Sequence, residues 1–362
     1  MKYESLNNQG VTLLKKNQLI EAKLFFEKAI ELKSDFPDAI NNLGLLEHKL
    51  GKLDQAVRLY KKVVSIDSNY ALESENKILS VIYFFSHGNI QEALATLKML
   101  VEKNPSDALL FNMLGGCFAS IGDSEMAILN YQKALELDSE YAIPKHMLNS
   151  LTGHTSKAPP KQYVKNLFDD YAHRFNDALV NNLKYSLPFI VKELILQSNS
   201  EKSEYQNLVD LGCGTGLAGK DLRDLSSNLI GIDISENMIS EAEKLEIYDN
   251  LIVGDIVETL SSSQEKIDLF VALDVLIYIG DALLTFQAVR ECCKPDSLFA
   301  FSVEIQEESG YSLLKSARYA HSDKYIMEQT SGIFDLVDSQ TVRLRKEGDN
   351  WINGKVYVFR AI

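Results

Sequence analysis

The sequence predicts an α-solenoid of paired helices followed by an α/β doubly wound parallel sheet that ends in an antiparallel hairpin. Three observations predict it. Small and aromatic residues return at a 34-residue offset in the part of the chain before residue 150. From Asn207 onward, short apolar runs alternate with helical stretches. Near the C-terminus, two strand-like runs are joined by a polar turn.

Size and composition set the frame. The 362 residues suit two domains, at about 150 residues per domain, and an apolar content of 46% is ordinary for a globular protein. No apolar run approaches the ~18 residues of a membrane span. The start, Met1-Lys-Tyr-Glu-Ser-Leu-Asn, has no apolar signal segment. A cytoplasmic protein without a membrane attachment is therefore expected. Cys117, Cys213, Cys292 and Cys293 show neither a disulfide framework nor paired C-x-x-C spacing, and no metal site is expected. The formal charge is −14, from 51 acidic and 37 basic residues, and no basic stripe stands out. Nucleic acid as a partner is disfavoured, since binding it needs clustered Lys and Arg.

The repeats come first in chain order. Gly10, Ala22 and Phe26 return as Gly44, Ala56 and Tyr60, each at an offset of 34 residues. Ala93, Leu97 and Leu100 return as Ala127, Tyr131 and Ala134, and Gly115 with Phe118 completes the last copy. The pattern resembles the tetratricopeptide repeat over roughly residues 3–140, in about four copies. The third copy is degenerate, with Val81 in place of glycine and extra residues expected in the turn near Tyr70–Ser74. The resemblance implies small residues where two helices cross and an aromatic that packs into the next unit. Ala142 to Leu151 reads as a capping helix, giving a repeat domain over 1–152. Stacked repeats make a concave groove, and a protein or peptide partner there is the preferred reading over a spacer or dimerisation role. The oligomeric state stays open.

Thr152-Gly-His-Thr-Ser-Lys-Ala-Pro-Pro160 interrupts the helical pattern, so residues 153–162 read as a linker with His154 in solvent. Phe168, Tyr171 and Phe175 then form one stripe of a helix. With Asp169 and Ala172 they resemble the lid helix that precedes the cofactor site in many small-molecule methyltransferases, with Asn176 departing from its pattern. That likeness places Tyr171 near the cofactor. The segment as a whole is similar to the repeat-bearing group of predicted bacterial methyltransferases, and gives a second domain over 163–362.

Asn207 to Leu211 reads as a buried strand, and Leu217 to Asp224 as a helix start. Between them Gly212, Gly214 and Gly216 supply permissive backbone and a close approach for a ligand. The amides of such a turn favour a carboxylate or phosphate. Gly214-Thr-Gly216-Leu-Ala-Gly219 fits a dinucleotide fingerprint. Asp210-Leu-Gly212-Cys213-Gly214-Thr215-Gly216 instead resembles motif I of class I S-adenosylmethionine-dependent methyltransferases, which have a Rossmann-like sheet.

The later elements decide between the two. Asn228 to Asp233 is a second strand ending in an acid, 19 residues beyond Gly214, suited to ribose hydroxyls in either ligand class. Asp233-Ile234-Ser-Glu-Asn-Met238 resembles a methyltransferase element whose methionine lines the adenosine pocket, with Ser235 as N-cap. Met238 as core filler is an equal alternative. Leu251 to Asp255 ends in Gly-Asp, and Asp255 with Ile256 is placed at the adenine edge. Ile267 to Asp274 delivers Asp274, Val275 and Leu276 to the same edge, followed by Tyr278, resembling motif IV, and Leu273 with Tyr278 is expected at the cofactor. Ala282–Cys293 is an amphipathic helix and Leu298–Val303 a fifth strand. Ile333–Arg345 and Gly354–Ile362, joined by Glu347-Gly-Asp-Asn350, form a hairpin. A terminal antiparallel strand is a methyltransferase hallmark, so the resemblance implies an S-adenosylmethionine-dependent methyltransferase (EC 2.1.1.-).

Its activated methyl asks the protein mainly for alignment and removal of one proton. Candidates for that proton are His173, Tyr278 and His321. Arg318, Tyr319, His321 and Tyr325 form a segment expected to cover the substrate. Absent are the Asn/Asp-Pro-Pro-Tyr/Phe run of adenine and glutamine methylation, a double-glutamate arginine-methylation pattern and a magnesium-type carboxylate cluster. A small molecule and a protein both remain open as the acceptor. A scaffold with a vestigial cofactor domain is the reading from a different class.

Overall fold

The computed structural model describes residues 2–16, 18–50, 53–66, 89–172, 186–199, 204–347 and 350–362. The chain divides into two compact units, Met1–Pro144 and Lys145–Ile362. The division falls inside the helix Ala142–Thr152, so the expected capping helix belongs mostly to the second unit.

Among its described residues the first unit has the helices Lys2–Lys15, Leu19–Leu32, Pro37–Lys49, Leu53–Ile66, Ile90–Lys103, Ala108–Ser120 and Ser124–Leu137. Leu19–Leu32 buries Ala22, Phe26 and Ala29, spaced by four and three along one face. The glycines are there for close approach. A Cβ on Gly10, Gly44 or Gly115 would come within 2.5–2.6 Å of the ring of Phe26, Tyr60 or Tyr131. The aromatic therefore covers the glycine of its own helix pair, where the family pattern suggested contact with the next. Phe26 does both, since it also clusters with Leu43 and Leu46. Asp107 and Asp123 cap the last two helices through the amides of Leu109 and Met126. Val81 and the Tyr70–Ser74 turn lie outside the described residues.

Among the described residues the second unit has nine strands: β1 (Tyr205–Leu211), β2 (Ser226–Asp233), β3 (Asn250–Val253), β4 (Ile267–Ala272), β5 (Cys293–Ile305), β6 (Tyr311–Leu313), β7 (Tyr319–His321), β8 (Phe334–Glu347) and β9 (Asn350–Ala361). The parallel order is β3-β2-β1-β4-β5, with crossovers between strands. β9 runs antiparallel between β5 and β8, the expected hairpin insertion. Residues 348 and 349 of its turn are outside the described set.

Successive side chains along a strand face opposite ways, and the core follows that alternation. Val209, Ile230, Phe270, Phe299 and Phe301 pack with Phe286 and Val289 on one face. Leu208, Leu229, Leu269 and Leu298 pack with Val191, Ile195 and Leu222 on the other. Among the described residues no helix is long and apolar enough to cross a membrane.

Two regions differ from the sequence expectation. The stretch read as a linker is bound along the second unit. Lys157 accepts from the Asp281 amide at 2.7 Å, Ser156 bonds the Tyr319 hydroxyl at 2.8 Å, and Thr155 accepts from the Leu313 amide at 3.1 Å. The segment containing Arg318 to Tyr325 is the short hairpin β6–β7 and the start of the helix Asp323–Thr330. β5 runs past the end of β4, and Glu304 pairs with both Gly354 of β9 and Ala320 of β7. β7 and β9 thus lie on opposite edges of β5.

Candidate active site

A crevice of about 720 Å³ opens at the carboxyl ends of β1, β2 and β4, the place where open α/β sheets bind ligands. Its floor is the turn after β1. Gly212, Gly214 and Gly216 hold φ of 66°, 54° and 82°, a region that side chains with a Cβ rarely occupy. A Cβ on Gly212 would also come within 2.5 Å of the Val275 side chain, so the turn and the segment after β4 are in direct contact.

Four amides of this turn are bonded within the protein. Gly212 and Cys213 both donate to the Ile232 carbonyl, Gly216 donates to the Cys213 carbonyl, and Gly214 donates to Asp233 at 2.9 Å. The expectation that these N–H groups receive an anion does not match this geometry. What the crevice offers instead is acid: Asp210, Asp233, Asp255 and Glu258 all line it. Asp233 accepts Gly214 on one oxygen and Ser235 on the other, each at 2.9 Å. A carboxylate oxygen has two lone pairs, so each retains capacity for a ligand hydroxyl. Burial raises the Asp233 pKa, and those two amide bonds oppose the rise.

Asp210 is buried beneath the turn and accepts from the Tyr248 hydroxyl at 2.7 Å. Burial pushes its carboxyl up to about 7, with the Tyr248 bond pulling the other way. Tyr248 also explains a glycine. A Cβ on Gly219 would collide with the Tyr248 hydroxyl, and one on Gly231 would lie 3.0 Å from the ring. The third glycine of the apparent dinucleotide fingerprint is therefore room for this tyrosine.

The helix Lys161–Tyr171 forms a wall through Tyr163, Val164, Leu167 and Phe168. Ser235 fastens it, donating to Asp169 at 2.6 Å while its oxygen accepts the Met238 amide at 3.1 Å. Lys161 reaches Asp255 at 3.2 Å and Glu258 at 2.7 Å. Phe168 meets Tyr278 edge-on, ring centres 5.1 Å apart. Burial raises the Tyr278 pKa, so at neutral pH this hydroxyl keeps its proton.

Of the expected cofactor residues, Asp210, Gly212, Cys213, Gly214, Asp233, Ile234, Asp255, Ile256, Leu273 and Tyr278 line the crevice. Thr215 and Gly216 belong to the turn without lining it, and Met238 is fully buried behind. Tyr171 ends the wall helix, its side chain outside the described set, and His173 lies outside the described residues. Of the expected substrate residues only Arg318 lines the crevice. Tyr319 and His321 are core residues because β7 is buried on both faces, and Tyr325 is buried in the helix Asp323–Thr330 that follows. His321 bonds the Gly280 carbonyl at 2.9 Å, and burial lowers its pKa. Tyr325 accepts from the Ala282 amide at 2.9 Å. Both hold the loop after β4, and neither lines the crevice. Among the described residues no group of His, Cys, Asp and Glu is arranged to hold a metal.

Arg345, expected from the sequence only as the end of a hairpin strand, also lines the crevice. It bonds Glu304 and lies 3.4 Å from Asp274, while Arg318 lies 3.2 Å from Glu304.

Comparison with known proteins finds matches to two different families along the chain. Residues 202–342 match a family model described as a methyltransferase domain, and 3–36, 37–70 and 80–142 match models of the tetratricopeptide repeat. Heat shock protein STI1 of Saccharomyces cerevisiae is 25% identical over 204 residues, 53% of this chain and 32% of that protein. The chain thus spans about a third of the length of this curated relative. Among solved structures, MamA from Desulfovibrio magneticus RS-1 is similar at TM-score 0.39 and 21% identity, covering 42% of this chain and 84% of that one. A magnesium protoporphyrin IX methyltransferase from Synechocystis PCC 6803 with bound SAH is similar at TM-score 0.44 and 15% identity, covering 56% and 99%.

Proposed function

We propose that this chain, in which tetratricopeptide repeats precede a methyltransferase domain, transfers a methyl group from S-adenosylmethionine to an acceptor in the crevice of its second unit. The observation that carries the reading is the row of acids along the glycine turn. Asp210, Asp233 and Asp255 suit a ligand that brings a sulfonium, an ammonium, ribose hydroxyls and an adenine amino group, all cations or hydrogen-bond donors. The same acids disfavour the pyrophosphate of a dinucleotide, by repulsion of like charges.

In this reading Asp233 holds the ribose, Asp255 the adenine edge, and Asp210 faces the methionine end. The open backbone of Gly212 and Gly214 leaves room for it. When bound, the cofactor supplies an electrophilic methyl on a sulfonium. The chain's own part is orientation and exclusion of water, by Phe168, Leu167 and Tyr278 along the wall. The repeats recruit a partner or a protein acceptor to the same molecule.

Calorimetric titration tests the cofactor assignment. S-adenosylmethionine binds the full chain and NAD does not, and Asp233→Ala abolishes the heat. An unchanged affinity in the variant removes Asp233 from the site. Tritiated-methyl labelling of a lysate, sorted by molecular size, then tells a protein acceptor from a small one.

A further inference from the structure

Two backbone irregularities on separate elements aim polar side chains at one spot in the crevice. The first is Asp274, just past β4. Its φ is +55°, unusual for a residue with a Cβ. Its amide donates to Ser302 at 2.8 Å, and the next residue, Val275, packs against Gly212 of the turn. The second is in β8. Val342 and Leu344 face inward with Arg343 outward, and strict alternation would send Arg345 outward as well. The pairing with β9 shifts between Arg343 and Arg345, a bulge that turns Arg345 inward, to 4% exposure. Backbone strain and bulges of this kind collect at functional sites.

Together they build a layered arrangement. Glu304 of β5 sits behind, buried, and bonds Arg345 while lying 3.2 Å from Arg318. Asp274 sits in front, 3.4 Å from Arg345, its side chain 17% exposed and lining the crevice. On the methyl-transfer reading above, we propose that Asp274 is the proton acceptor for the incoming nucleophile and that Arg345 is its positioning residue. The acceptor is then a hydroxyl or an ammonium on an apolar body, since the surrounding wall is Tyr163, Leu167, Phe168 and Leu284. A hydroxyl attacks with its own lone pair, while an ammonium first gives up a proton to free one; that pair forms the bond to the methyl carbon, and the sulfur keeps the pair of the bond that breaks. The nucleophile's proton passes to the Asp274 carboxylate and from there to solvent.

The electrostatics agree with this role. Burial raises the Asp274 pKa and Glu304 adds to the rise, while Arg345 and Arg318 oppose it. Tyr278 also faces the group, and its hydroxyl is bonded to Arg318. The other histidine and tyrosine candidates that the structure describes are spent on the fold or keep their proton, as shown above.

The test uses the full chain, tritiated-methyl S-adenosylmethionine and a cell lysate as the source of acceptor, over a pH range from the acid limit of the folded protein to the alkaline side of neutrality. Asp274→Asn is expected to lower incorporation about 100-fold, the scale of general-base catalysis. Its calorimetric affinity for the cofactor stays within about threefold of the wild type's, which also shows that it folds. A loss of tenfold or more with that affinity kept supports the proposal, and a smaller loss overturns it. Removing the cation raises the Asp274 pKa, so the acid limb of the pH profile moves to higher pH in Arg345→Met. If that variant does not fold, Arg345→Lys gives a smaller shift in the same direction, and an unmoved limb overturns the positioning role. No incorporation by a wild type that binds cofactor overturns this proposal alone. No binding either overturns the cofactor reading with it.

Discussion

Tyr248 shows how a single side chain organises the crevice. It lies in a short connection before β3, outside every sequence motif, yet its hydroxyl holds the buried Asp210 and its ring occupies the space left by Gly219 and Gly231. The only trace in the sequence was a glycine with no evident purpose, first read as part of a fingerprint. Asp210, with a pKa of about 7, becomes anionic across the neutral range. If its anion meets the cofactor's ammonium, affinity falls as pH drops through 7. Removing the hydroxyl in Tyr248→Phe takes away a bond that lowers this pKa, so the midpoint moves to higher pH. Calorimetric titrations between pH 5 and 9 measure both midpoints, and coincident curves would refute the coupling.

At the scale of elements, period and punctuation were enough to place most helices and strands, and irregular backbone was not. The strand ends with their acids, Ser235 as a cap and the closing hairpin were all legible, because each depends on local chemistry. Arg345 was not legible: a bulge shifts the period by one residue, and nothing in the composition of β8 announces it. The burial of β7 was missed for a similar reason, since three residues carry too little pattern to separate a strand from a helix. Two predictions belong here. Ser235→Ala removes a helix cap together with the tie to Asp169, a loss of about 1–2 kcal/mol. Urea denaturation measures it, and amides of Lys161–Tyr171 should exchange faster. Gly115→Ala drives a methyl against Tyr131 and should cost the first unit about 1–3 kcal/mol.

For the whole molecule, two compact units on one chain imply two unfolding events. Differential scanning calorimetry of the full chain should resolve two transitions, and S-adenosylmethionine should raise only one. At 100 times its dissociation constant the ligand stabilises the unit that binds it by about 2.7 kcal/mol. A ligand shift of both transitions would show that the units are energetically coupled. The order of strands carries a last consequence, for biosynthesis. β9 lies between β5 and β8, yet it follows both in the chain. At about 5–20 residues per second, a ribosome completes β9 some 3–11 seconds after β5. Until then β5 is a bare edge beside Phe299 and Phe301, whereas the residues of the repeats have long since left the exit tunnel. A nascent chain stalled before Asn350 is therefore the species expected to need a chaperone, and ribosome-arrested chains cut on either side of β9 would differ sharply in protease resistance.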